Sequence, residues 1–195
     1  MGQQLWSWET TRFENLDLPN VKTELSASSW DVMIETADIA WGYAISLLPA
    51  AQDCKYWRSR LEVRHVLGDI SPGIAFRNER DGILFQVCPE RGSAELRYVK
   101  VGERTEQTEV YQTGDVAFPM DIMMEYDAVE SRCTGQINGN AVFEIKLPFE
   151  NIEPLTSVTV LEIVTTSHPD GNGGTAGYGD IALQCESNEK ERSTE

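Results

Sequence analysis

Apolar and polar residues alternate in short runs along most of the chain, and the alternation is sharpest over residues 55–67. One set of alternate positions there is Trp57, Ser59, Leu61, Val63, His65 and Leu67; the other is Tyr56, Arg58, Arg60, Glu62, Arg64 and Val66. Successive strand side chains point to opposite faces of a sheet, so this stretch predicts a strand with one face in a core and one loaded with charge. Further strands are predicted over residues 31–36, 39–48, 74–77, 83–88, 94–101, 120–126, 157–165 and 178–184. They are separated by turn-forming residues such as Gly68-Asp69-Ile70-Ser71-Pro72-Gly73, Arg80-Asp81-Gly82 and Pro89-Glu90-Arg91-Gly92. Asn138-Gly139, between the runs 133–137 and 141–145, is the strongest hairpin signal in the chain. Helical periodicity is almost absent, and the pattern is that of an all-β, two-sheet antiparallel sandwich.

Length adds that one core suffices. A chain of 195 residues can bury one sizeable sandwich core and is short for two domains, so residues 1–185 are expected to form a single domain. Residues 1–30, with Trp6, Trp8, Phe13 and Trp30 among polar neighbours, read as irregular or edge chain covering one mouth of the sandwich. Residues 186–195 read as a disordered charged tail. The formal charge of -16 repels phosphates and anionic lipid, so neither nucleic acid nor a membrane surface is an expected partner. The start Met1-Gly2-Gln3-Gln4-Leu5-Trp6 carries no basic, apolar leader pattern, which gives the expectation of a soluble cytoplasmic protein. Cys54, Cys88, Cys133 and Cys185 form no CxxC pair and no Cys/His cluster. They are expected as buried free thiols rather than zinc ligands.

The candidate chemistry comes from comparing faces. If the strand over 55–67 and the three that follow it form one sheet, the core set is Leu61, Val63, Ile74, Phe76, Ile83, Phe85, Val87, Leu96 and Tyr98. The opposite face then holds Arg58, Arg60, Arg64, Arg77 and Arg97 with Glu62, Gln86 and Glu95. A cationic face on so acidic a chain suits an anionic or polyhydroxylated small ligand, because the guanidinium fork binds carboxylates and phosphates bidentately. Tyr56 would stand at its edge. The alternative is a cross-strand Arg/Glu ladder on a solvated face, as antiparallel sheets commonly carry.

Catalytic candidates are few. Glu62 between Arg60 and Arg64 is the expected acid or base, and His168, in a loop beside Pro169 and Asp170, is the second. His65 falls on the core-facing set and is expected to be structural. Asp170, Asn172 and Asp180 are candidate ligands for a structural Ca²⁺, but their spacing does not fit an EF-hand and an ordinary turn is preferred. No cofactor is expected; Gly171-Asn172-Gly173-Gly174 lacks the Lys-Ser/Thr of a phosphate loop.

The order of signals resembles the concanavalin A-like lectin/glucanase superfamily, a two-sheet jelly roll. The residues that carry it are Tyr56-Trp57-Arg58-Ser59-Arg60-Leu61-Glu62-Val63-Arg64, Gly73-Ile74-Ala75-Phe76-Arg77, Asp81-Gly82-Ile83-Leu84-Phe85-Gln86-Val87, Ala94-Glu95-Leu96-Arg97-Tyr98-Val99, Ile137-Asn138-Gly139-Asn140-Ala141-Val142-Phe143 and Gly179-Asp180-Ile181-Ala182-Leu183. The resemblance implies ligands across a concave sheet or at the loop-built rim. The glucanase Glu-x-Asp-x-x-Glu strand is absent, so hydrolysis by a close carboxylate pair is disfavoured. The Arg-rich strand resembles that of alginate-lyase-like members, whose Gln-x-His strand is missing here. The reading from sequence is a cofactor-free enzyme of isomerase, cyclase or lyase type acting in an Arg-lined groove. The alternative is a non-catalytic lectin-like glycan-binding module.

Overall fold

The computed structural model describes residues 3–4, 12–14, 21–25, 29–36, 41–47, 54–68, 70–77, 81–100, 106–147, 157–164 and 172–187; for some of these only the backbone course is described. They form fifteen strands: β1 (Gln3–Gln4), β2 (Arg12–Glu14), β3 (Val21–Leu25), β4 (Trp30–Thr36), β5 (Trp41–Leu47), β6 (Cys54–Gly68), β7 (Ser71–Arg77), β8 (Asp81–Cys88), β9 (Ser93–Lys100), β10 (Glu106–Gln112), β11 (Met120–Asp127), β12 (Arg132–Ile137), β13 (Asn140–Lys146), β14 (Ser157–Val164) and β15 (Asn172–Ser187). Among the described residues the single helical piece is a 3-10 turn, Pro89–Arg91, closed by Gly92 at φ 57°, where an L side chain would be strained. Among the described residues no helix is long and apolar enough to cross a membrane.

Two antiparallel sheets result. The first is eight-stranded, ordered β13-β12-β11-β6-β15-β4-β3, with β1 added on β15. The second is seven-stranded, ordered β10-β9-β8-β7-β14-β5-β2. This is the all-β sandwich that the alternation predicts. Every residue of the expected core set is buried, joined by Trp57, Met120, Ile122, Met124, Tyr126 and Phe143. Burying each such side chain contributes roughly 1.5–3 kcal/mol. Phe143 of the first sheet meets Phe85 of the second edge to face, with ring centroids 5.0 Å apart. Asn138 at φ 51° and Gly139 at φ 76° make the predicted hairpin turn, and the Asn138 Oδ1 accepts from the Asp121 backbone N–H at 2.8 Å.

Three features depart from the pattern. First, β6 is not a sheet-mate of β7, β8 and β9: it lies in the first sheet between β11 and β15, and they lie in the second. The chain changes sheets at the corner after Gly68, φ 79°, where the Ile70 N–H donates to the Gly68 carbonyl at 2.9 Å and Ile70 enters the core. Second, β6 carries a bulge at Arg64, since Gly177 pairs with His65 but Tyr178 pairs with Val63. The extra residue inverts the alternation. His65 and Leu67, expected on the core side, are exposed, and Val66 packs against the core instead. Third, β10 occupies a stretch where no strand is predicted, while β1, β2 and β3 fall within residues 1–30, read as irregular or edge chain. β15 runs to Ser187, two residues into the stretch read as tail. Trp6 and Trp8 lie outside the described residues, and of Phe13 and Trp30 only the backbone is described.

Candidate functional site

The two-sheet arrangement divides the predicted cationic face in two. Tyr56, Arg58, Arg60, Glu62 and Arg64 stand on the outward face of the first sheet, whereas Gln86, Glu95 and Arg97 stand on the outward face of the second, across the core. Arg77 belongs to β7 of the second sheet, opposite Gly82 and Ser157, and its side chain lies outside the described residues. His168 also lies outside them. A single Arg-lined groove through all five arginines is therefore not formed.

The first face is a ladder. Its arginines meet acids supplied by β11, whose outward positions Asp121 and Glu125 alternate with the buried Met120, Ile122 and Met124. The Arg58 Nε lies 2.5 Å from Glu125 Oε1, and Arg58 Nη2 donates to the Tyr56 hydroxyl at 3.2 Å. Arg60 holds Asp121 bidentately, with Nη2 2.8 Å from both carboxylate oxygens and Nε 3.1 Å from Oδ1. These bonds to the Asp121 carboxylate raise the pKa of the Arg60 guanidinium above its ordinary value. Arg64 Nε stands 3.5 Å from Glu62 Oε1. Glu62 also fills the space that a Cβ on Gly179 would need. The Arg60 and Asp121 side chains are 50% and 41% exposed, and pairs so solvated contribute about 0–1 kcal/mol each. Glu62 is thus placed beside Arg64 as one rung, while Arg60 turns to Asp121.

The second face differs in burial. Gln86 and Glu95 pair directly across β8 and β9, and although they point away from the core they are only 1% and 8% exposed. Arg97 donates to Glu95 Oε2 through Nη2 at 2.7 Å and Nε at 3.1 Å, and Arg91 Nη1 stands 3.8 Å from Glu95 Oε1. The Gln86 Nε2 makes no hydrogen bond among the described residues. A buried donor without a partner costs about 1–3 kcal/mol, so its retention calls for a reason. Gly73 makes room beside it: a Cβ there would lie 2.5 Å from the Phe85 carbonyl oxygen and 3.0 Å from Gln86 Cγ. Farther along the same face the Ser71 hydroxyl donates to the Cys88 sulfur at 3.3 Å, and burial pushes the Cys88 thiol above its ordinary value. Glu95 is the member the sequence left out of the site. Its Glu-x-Arg spacing with Arg97 on one strand was the available signal, since residues two apart share a face.

Other candidates separate. Asn172 and Asp180 lie on the same extended strand, eight residues apart, which is roughly 25 Å at strand rise. They cannot share one Ca²⁺, and Asp170 lies outside the described residues. No group of three or more metal-ligating side chains occurs among the described residues. An open depression of about 620 Å³ at the edge of the first sheet is lined by Val129, Glu130, Arg132, Glu144, Ile145 and Lys146. Its Arg132 is taken up by Glu144 at 3.1 Å and Glu130 at 3.3 Å, and none of the predicted site residues reaches it. Cys88 and Cys133 are buried free thiols, as expected.

No protein-family model matches the chain, and no curated protein matches its sequence. Solved structures do resemble it. A carbohydrate-binding module of the CBM66 class from Bacillus subtilis matches with a TM-score of 0.55 at 9% identity, covering 90% of this chain and 97% of that one. The Emp47p carbohydrate recognition domain matches with a TM-score of 0.55 at 8% identity, covering 91% and 89%. A botulinum neurotoxin type C structure, from a toxin whose cell entry depends on interaction with two ganglioside molecules, matches with a TM-score of 0.60 at 11% identity. It covers 92% of this chain, which spans 44% of the toxin chain. What the likeness shows is the fold, an antiparallel two-sheet β-sandwich shared with these carbohydrate-binding domains. At these identities the likeness defines the fold and assigns no particular member.

Proposed function

We propose that the protein is a non-catalytic, lectin-like module that binds a saccharide on the outward face of its second sheet. The observation that carries this reading is the pair Gln86 and Glu95, buried on a face directed away from the core beside the partly exposed Arg97, with the Gln86 Nε2 lacking a hydrogen-bond partner among the described residues. A saccharide hydroxyl both accepts and donates, so it complements a carboxamide held beside a carboxylate. The frequency of carbohydrate-binding proteins among the structural neighbours supports the same choice. Of the ligand-binding residues expected from sequence, Gln86 and Arg97 stay with this site, and Arg77 shares their sheet. Tyr56, Arg58, Arg60, Arg64 and Glu62 are assigned to the structural ladder.

The cofactor-free isomerase, cyclase or lyase expected from sequence has no comparable support, because among the described residues Glu62 is engaged in an exposed ion pair and no nucleophile is set beside it. With the binding role we retain a single domain, ending in β15, and a cytoplasmic location; limited proteolysis and cell fractionation test these. The function itself is tested by a glycan array. Saturable, structure-selective binding without turnover is expected, and the absence of binding to any saccharide class would remove the proposal.

A further inference from the structure

We infer that the outer edge of β10 is a docking site for an extended, basic segment of another polypeptide, which adds to the second sheet as a further strand. Four strands end the two sheets: β13 and β3 in the first, β10 and β2 in the second. An open edge presents a row of backbone N–H and C=O groups, and proteins blunt such edges with short strands, bulges, proline or lysine. β2 has three residues, β3 carries Lys22, and β13 skips Val142 in a bulge and ends on Lys146. β10 has none of these devices. Its residues Glu106–Gln112 pair one to one with β9 from Val99 to Ser93, and they include no lysine, arginine or proline. Among the described residues no strand pairs with its outer side.

The strand is also held ready for a partner. The Thr113 and Gly114 N–H groups both donate to the Gly92 carbonyl, at 2.9 and 3.1 Å, and Tyr111 stacks on Phe143 with ring centroids 5.6 Å apart. An edge fixed in this way loses little freedom on binding. At its centre Val110 is 59% exposed, with Thr108 and Gln112 exposed on the same face. A residue laid opposite Val110 gains an apolar cross-strand contact. On the other face stands the Glu109 carboxylate, whose Oε2 accepts from the Tyr111 hydroxyl at 2.6 Å. It is the cross-strand partner for a lysine or arginine one position along. The only charged residues of β10 are acidic and the chain carries -16 in all, so a cationic strand is attracted and a second copy of this chain is repelled. Main-chain hydrogen bonds supply the affinity, and the alternation of basic and apolar side chains supplies the selectivity.

Titration of the full chain with synthetic peptides of the length of β10 tests the inference. One peptide alternates Lys and Val, one alternates Glu and Val, and one gathers the Lys and Val of the first into separate blocks. The alternating Lys-Val peptide is expected to bind at least about 10-fold more tightly than either of the others, with backbone amide shifts centred on β10. Val110→Lys and Thr108→Lys, both at exposed edge positions, are each expected to lower that affinity at least about 10-fold while moving the melting temperature by less than about 3 °C. Equal binding of the block peptide would overturn the inference, since charge alone would then account for it. Binding indifferent to both variants, a preference for the Glu-Val peptide, or no binding at all would also overturn it. So would sedimentation of the parent as a dimer that Val110→Lys dissociates, which would give the edge to a second copy.

Discussion

The outward faces of the two sheets present similar residues to different surroundings. On the first, Arg58, Arg60 and Arg64 are about half exposed, and each has its own acid, from β11 or from β6 itself. On the second, one carboxylate, Glu95, gathers Arg97 and Arg91 and is nearly closed off from solvent beside the Gln86 Nε2, which makes no hydrogen bond among the described residues. Arginine content alone does not distinguish a binding face from a solvated ladder. Burial does, because desolvation makes an unmet donor costly and a met one selective.

The comparison can be broken at its glycines, where the largest effect is expected. Gly73→Ala puts a methyl group against the Phe85 backbone carbonyl, which cannot yield without disturbing the β7 and β8 pairing. It should destabilise the fold by about 3 kcal/mol. Gly179→Ala meets only the Glu62 carboxylate and the Arg64 guanidinium, side chains that can swing into solvent, and should cost under about 1 kcal/mol. Urea denaturation of the two variants checks both values, and equal losses would mean that the faces are equally packed.

Charge deletion sharpens the same contrast at smaller amplitude. Arg97→Ala strips Glu95 Oε2 of the two hydrogen bonds that Arg97 donates and should cost about 2 kcal/mol. Arg60→Ala removes a solvated pair with Asp121 and should cost at most about 1 kcal/mol, an effect that shrinks further in salt.

The smallest effect concerns pH. Burial raises the Cys88 thiol above its ordinary value of 9.0 and Tyr126 to about 12, so both groups bind protons more tightly folded than unfolded. Their contribution to stability is complete below the unfolded values and is lost as pH rises through the folded ones. Denaturation midpoints should therefore fall from about pH 9 upward. Alkylation of Cys88 near neutral pH should be slower than that of a free thiol.

Much of this was legible in the chain. The alternation in 55–67 and 120–126 identified β6 and β11, with their core sides as far as Arg64 in β6 and throughout β11, because a period of two leaves little choice of face. Asn138-Gly139 specified its own turn. Sheet membership was not legible at Gly68 to Gly73, because glycine and proline report that the chain bends and not which sheet it enters next. That ambiguity merged two opposite faces into one. The bulge at Arg64 has no sequence signature either, so His65 was assigned inward. β10 escaped notice because Glu106, Thr108 and Gln112 are polar edge positions whose alternation is weak. Glu95 was visible on its strand, but its burial depends on what surrounds the face, which no local pattern carries.

The central claim is that the second face, and not the first, receives the ligand. Titration of a saccharide selected on the glycan array into the parent chain, the Gln86→Met variant and an Arg58→Ala/Arg60→Ala double variant measures it directly. The account predicts at least about a 10-fold loss of affinity for Gln86→Met and less than about a 2-fold change for the double variant. Loss of binding in the double variant with retention in Gln86→Met would contradict it.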